Sequence, residues 1–318
     1  MRRFVLFALA TGLCAVSARA DCDATLAAPR SLRSGELVAD YKPVLRACHG
    51  EGGDKIAIRE MRLGGGAALL LADPATLDTR LERAACWTCE DVAESALGST
   101  RMMRAIDTAA AAPGLAHRTF LGNAGLTHGQ RGGFFTGDLC PSNRPMDRAF
   151  LQTLVGERTP IALSISGPWL KHHFDDYRWL LDAQARGRLA VTWVNHSYSH
   201  PYRPGVADGA NFLLAANVDP DFEILQTERL LIANGQTPSL FFRFPGLVSS
   251  SALMQALRRH HLIALGANAW LALNQKPAEG SIILVHPNGN EELGLQIYRR
   301  DAARGVLPSL KPLAEAPE

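Results

Sequence analysis

From about Gly125 to Arg300 short apolar runs alternate with longer amphipathic segments. The runs predict strands at Gly132 to Thr136, Thr159 to Ser166, Leu189 to Val194, Ser239 to Phe242, Leu262 to Leu265 and Ile282 to Val285. Between them, Met146 to Val155, Asp175 to Ala185, Phe222 to Ala233 and Ser250 to Arg259 read as helices, the last with serines available as N-cap. Such alternation predicts parallel βαβ units in an α/β fold. Upstream the pattern changes. Three glycines, Gly64 to Gly66, open the apolar run to Ala72, which reads as a buried strand closed by an Asp-Pro turn. The acidic pair Glu90-Asp91 precedes a helix expected over Val92 to Ile106. The stretch Thr108 to Gly114, TAAAAPG, marks the change between the two patterns.

The first 20 residues add a third segment. Arg2 and Arg3, an apolar stretch from Phe4 to Val16, and the small residues around Ala18 and Ala20 read as a secretory signal, too short to span a bilayer comfortably. The expected division is therefore 1–20 signal peptide, 21–115 a small cysteine-containing region with no function assigned, and 125–305 the α/β domain. No other segment is apolar enough for stable membrane insertion. Loss of the signal takes the 33 basic residues to 30 against 31 acidic ones, a net charge of about −1. A nucleic-acid partner, which needs a basic stripe, is not expected. The expected location is secreted or periplasmic, where disulfides form.

Five cysteines follow the signal: Cys22, Cys48, Cys86, Cys89 and Cys140. Cys86 and Cys89 have redox-motif spacing without a thioredoxin-like setting. A structural disulfide is the reading preferred, either within the motif or out to Cys22 or Cys48. The odd number leaves one thiol free, and Cys140 is expected to be that one, packed rather than ligating.

Polar residues of one kind of chemistry recur where the predicted strands end. Asp138 lies two residues beyond Thr136. His196 and His200 follow Val194, Arg243 follows Phe242, and His286 follows Val285. In a barrel of βα units the strand C-termini share one face, so these residues are expected to form one site. The spacing of His196 and His200 suits one helix face, but Pro201 disfavours helix at His200, so a loop is expected. Such a loop can still converge two imidazoles on a borderline metal such as zinc. Two hydrogen-bonded surface histidines remain the alternative at this point. The adjacent pairs His172-His173 and His260-His261 point apart and read as ordinary positions.

Five blocks, in order, resemble those of the NodB-type polysaccharide deacetylases, over about Gly132 to Ile297. They are Thr136-Gly-Asp138-Leu-Cys140, His196-Ser-Tyr-Ser-His200, Arg243-Phe-Pro-Gly246, Ala269-Trp270 and Leu284-Val-His286. The second, third and fifth are the specific ones. The resemblance implies a distorted (β/α) barrel of the polysaccharide deacetylase type, a divalent metal with zinc foremost, and hydrolysis of acetyl groups on a carbohydrate polymer or oligomer. It implies His196 and His200 as metal ligands, Asp138 as general base, His286 as the acid for the leaving amine, and Arg243 orienting Asp138. Trp270 and Leu284 would wall the acetyl pocket. Two positions depart from the family's pattern. Its second aspartate, normally a metal ligand, is Leu139 here, and no carboxylate precedes Trp270. The third ligand is then Asp138, a water or a residue from elsewhere. A carbohydrate-binding protein that has lost catalysis is the alternative that Leu139 favours. A redox protein acting through Cys86 and Cys89 is a third.

Overall fold

The computed structural model describes residues 37–112, 114–116, 119–156 and 158–318, together with Cys22 and Leu26. The signal-like residues 1–20 lie outside the described residues. Five antiparallel strands come first: β1 (Val38–Gly50), β2 (Gly53–Leu63), β3 (Gly66–Ala72), β4 (Thr79–Arg83) and β5 (Thr88–Asp91), in the order β4-β3-β2-β1-β5. Gly64 and Gly65, both with positive φ, make the β2–β3 turn. Two successive left-handed residues are what a tight hairpin demands, which explains the glycine run. The predicted single helix is two, α1 (Glu94–Leu97) and α2 (Arg101–Ala111). Thr100 breaks it, because its side chain accepts from the Met103 amide and caps α2. Disulfides join Cys22 to Cys86 and Cys48 to Cys89, so the CxxC pair bonds outward and not to itself. Cys140 is the free cysteine, as expected.

The second sheet has seven strands, all parallel: β8 (Phe134–Leu139), β9 (Thr159–Ile165), β10 (Leu189–Asn195), β11 (Phe241–Phe242), β13 (Ile263–Ala264), β14 (Ala269–Trp270) and β15 (Ile282–Val285). Their order is β13-β11-β10-β9-β8-β15-β14. Among the described residues six α-helices accompany them: α3 (Arg148–Leu154), α4 (Gly167–His172), α5 (Phe174–Ala185), α6 (Pro220–Ala233), α7 (Ser251–Arg259) and α8 (Glu292–Ala303). A small three-stranded sheet is built from β6 (Leu115–Ala116), β7 (Leu121–Gly122) and β12 (Val248–Ser249). The parallel sheet curls into a distorted (β/α) barrel, open between β13 and β14. One bond measures the curl. Two strands separate β11 from β8, roughly 14 Å across a flat sheet. Yet Arg243, just after β11, reaches Thr136 and Asp138 of β8 at 2.8 Å each.

One strand boundary matters for the site. The strand expected to end at Thr136 runs to Leu139, so Asp138 lies within β8 rather than two residues beyond it. Every residue of β8 is buried, as suits a central strand covered on both faces.

The N-terminal sheet and the barrel share a core. Ile56, Ile58 and Leu70 belong to the same apolar cluster as Met102 and Ile106 of α2 and Ile232, Leu240 and Ile263 of the barrel. Within the contact, Arg59 of β2 is fully buried and grips Glu228 of α6 with two donors, at 2.7 and 2.9 Å. Its other donors go to the Ile58 and His260 carbonyls, and Tyr41 donates to the same carboxylate.

Candidate active site

β-Strand alternation sets the floor of the site. Thr136, Asp138 and Cys140 are in phase on one side of the β8 chain. Leu139 is out of phase and fully buried in the second core, with Phe135 and Ile165. Asp138 is 3% exposed. Its Oδ1 accepts from Arg243, and its Oδ2 lies 3.8 Å from His196 Nε2 and 4.0 Å from His286 Nε2. Burial pushes the Asp138 carboxyl up, but the Arg243 guanidinium, with His196 and His286 beside it, outweighs burial and holds it well below the usual carboxylate range.

The segment His196 to His200 is a loop, as Pro201 requires. Ser197 and His200 take positive φ, 65° and 46°, conformations that cost free energy outside glycine and concentrate at functional sites. Hydrogen bonds hold the loop in this shape. Asn195 accepts from the Ser197 amide, Ser197 from the His200 amide, and the buried Glu223 from both the amide and the hydroxyl of Ser199. Gly167 donates to the Tyr198 carbonyl, and a Cβ there would come within 2.4 Å of that oxygen. The result brings the rings of His196 and His200 to 4.8 Å. His196 Nδ1 lies 2.8 Å from the Arg243 carbonyl, which can only accept, so Nδ1 carries the proton and Nε2 turns its lone pair inward. Both His200 ring nitrogens are closed off from solvent and have no hydrogen-bond partner among the described residues.

Across the cavity, His286 follows β15 directly. Its Nδ1 donates to Glu291 Oε2 at 2.9 Å, and Trp270 Nε1 donates to the same carboxylate at 3.1 Å. Burial works to lower the His286 pKa. The Cys140 sulfur, Glu291 and Asp138 outweigh it and raise the imidazole well above its ordinary value. The space between them is an open pocket of about 200 Å³. Trp270, Leu284, Leu247, Phe212 and Tyr202 form its apolar walls, and Asp138, His196, His200 and His286 its polar lining.

No family model matches the chain. Comparison with solved structures finds a family 4 carbohydrate esterase from Bacillus anthracis, 19% identical, over 61% of this chain and 87% of that one, with a TM-score of 0.44. It also finds a peptidoglycan N-acetylglucosamine deacetylase, 16% identical, over 60% and 91%, at 0.42. A third is a family 4 carbohydrate esterase pseudoenzyme from Bacillus anthracis, 13% identical, over 59% and 66%, at 0.41. Each of the three covers about three fifths of this chain.

Asp138, His196, His200 and His286 line this cavity with Trp270 and Leu284, and Arg243 is buried behind Asp138, bonded to it. Two further residues stand beside these. The first is Glu291. It brings a carboxylate to His286 and Trp270, which the Ala269-Trp270 block lacks. Cys140 was read as a packed thiol. Its Sγ lies 3.4 Å from His196 Nε2, and Cys140, His196 and His200 offer donor atoms within 4.8 Å of one another. Among the described residues no other cluster of this kind occurs. The remaining histidine pairs stay out of the site: His173 bonds the Ser142 carbonyl, His260 Asp221, and His261 Glu94.

Proposed function

We propose that the protein is a secreted or periplasmic, metal-dependent carbohydrate deacetylase whose substrate is an acetylated polymer or oligomer. The observation that carries this reading is the opposition of two groups across one small cavity. An Arg243-held carboxylate faces a Glu291-held imidazole, with two further imidazoles beside the carboxylate. The residues fit a divalent ion: His196 presents a lone pair inward, and His200 has two shielded nitrogens with nothing to bond. An unmet buried polar group costs roughly 1–3 kcal/mol, which a bound cation relieves. When bound, such a cation makes water more acidic at neutral pH and polarises a carbonyl.

The chain's own residues supply the rest. Arg243 occupies Oδ1 of Asp138 and keeps the group ionised, so Oδ2 is the oxygen that collects the proton of the attacking water. Glu291 fixes the proton on His286 Nδ1 and favours a second proton on Nε2. His286 Nε2 then protonates the departing amine. Trp270 and Leu284 exclude water from the acetyl methyl and fit a small apolar group. The disulfides agree with export, and no helix among the described residues is long and apolar enough to cross a membrane.

Acetate release from N-acetylglucosamine oligomers, O-acetylated glycans and peptidoglycan fragments tests the proposal. The expected result is release from at least one class, abolished by a chelator and cut by orders of magnitude in Asp138→Asn. The second reading, a carbohydrate-binding protein without catalysis, rests on Leu139. Tight glycan binding without acetate release from any class would favour it.

A further inference from the structure

We propose that Cys140 Sγ is the third protein ligand of the metal, completing a site of two imidazoles and one thiolate. The inference rests on the metal-dependent reading above and adds the identity of the ligand set. Leu139 stands where the resembled motif carries its ligating carboxylate, but its side chain is fully buried on the opposite side of β8. The next residue in phase with Asp138 is Cys140, and its sulfur points to the histidines. The distances suit the role. A tetrahedral ion with sulfur at about 2.3 Å and nitrogen at about 2.0 Å sets sulfur and nitrogen about 3.5 Å apart. Cys140 Sγ and His196 Nε2 are 3.4 Å apart. The widest separation in the triad, within 4.8 Å, asks one donor to close in by at most about 1.5 Å.

The same geometry also suits a cysteine nucleophile with His196 as its base. His200 decides between the two. A nucleophile–base pair needs one imidazole, and it leaves both shielded nitrogens of His200 without a partner. A metal uses one of them. The Asp138 carboxylate is then released from ligation and stays available as a base, since Oδ1 is engaged by Arg243. A thiolate in the ligand set selects zinc or cobalt over the hard, oxygen-seeking magnesium and calcium ions.

The test loads the purified mature protein with cobalt(II) under anaerobic conditions, beside Cys140→Ser, Cys140→Asp and the His196→Ala, His200→Ala double variant. Thiolate-to-cobalt charge transfer in the near ultraviolet is expected for the unaltered protein and not for Cys140→Ser. Zinc affinity, read by chelator competition, should fall in Cys140→Ser by more than the roughly 10–100-fold that loss of an outer hydrogen bond costs. Cys140→Asp should recover metal binding without the charge-transfer band. Iodoacetamide should modify Cys140 in the metal-free protein and not in the zinc-loaded one, a readout that needs no variant to fold. Cobalt bound with visible ligand-field bands but no charge transfer would overturn the thiolate ligand and leave the metal-dependent reading standing. Failure of the unaltered protein to bind cobalt or zinc at all would overturn both. Alkylation unaffected by zinc, with hydrolysis surviving metal removal, would establish the nucleophile instead.

Discussion

Two buried arginine–carboxylate pairs sit among the described residues, and their surroundings differ. Arg59 and Glu228 join the N-terminal sheet to α6. Both carboxylate oxygens are used, one of them twice, and Arg59 places donors on two carbonyls as well. Arg243 and Asp138 lie at the barrel mouth. One carboxylate oxygen is held and the other faces two imidazoles at 3.8 and 4.0 Å; Arg243 Nε has no partner among the described residues. In the first cluster the Arg59 and Glu228 side chains are buried and bonded to one another. The second is left incomplete around a space of about 200 Å³. Burying charge is costly in both places. Where the carboxylate oxygens are both held, the pair fixes how two elements dock; where one is left open, there is room for a ligand.

The sharpest break of that contrast compares one neutralising change in each pair. Asp138→Asn should cut acetate release by about 10²–10⁴-fold, the usual worth of a general base, with metal content retained. The matching change in the other pair, Glu228→Gln, leaves the Arg59 charge buried without its counter-ion. That variant should lose about 3–5 kcal/mol in urea unfolding. Hydrogen exchange should show β1 and β2 loosening with it. Replacing both partners, Arg59→Met with Glu228→Leu, should restore most of the loss.

Next comes the stapling of the N-terminal sheet. Cys48→Ala with Cys89→Ala removes one disulfide, spanning 41 residues, and should cost about 2–4 kcal/mol without changing kcat of the folded fraction. A large fall in kcat would show that the sheet shapes the site. The smallest effect sharpens the comparison within the site. Glu291→Gln should lower kcat by about 10–100-fold, as loss of an orienting partner does. The sign in pH follows from the His286 shift. Glu291 helps to raise that pKa, so the amide lowers it, and the alkaline limb that requires protonated His286 moves to lower pH. An unmoved limb would mean that Glu291 only packs against Trp270.

The parallel strands and the histidine loop were legible because their signals are local. An apolar run marks a strand, and Pro201 forbids helix at His200. The site's other residues depend on phase and on distance. Reading β8 as ending at Thr136 placed Asp138 in a loop, where alternation has no meaning. With the strand running to Leu139, the pleat carries Leu139 into the core and turns Cys140 toward the histidines. That single boundary hid the thiol. Glu291 was hidden differently, since a carboxylate 21 residues beyond Trp270 joins it only through the fold. Arg59 gave no sign either: its partner lies 169 residues away, on a helix of the other sheet's barrel. The break between α1 and α2 was readable in principle from Thr100, a capping residue inside an otherwise helical stretch.

The central claim is that the open valences at the barrel mouth belong to a metal. Elemental analysis of the purified mature protein, beside the His196→Ala, His200→Ala double variant, tests it most directly. Close to one zinc or other divalent ion per chain is predicted, lost in the variant while its fold persists. A protein that holds no metal after reconstitution, or a variant that keeps it, would contradict the claim.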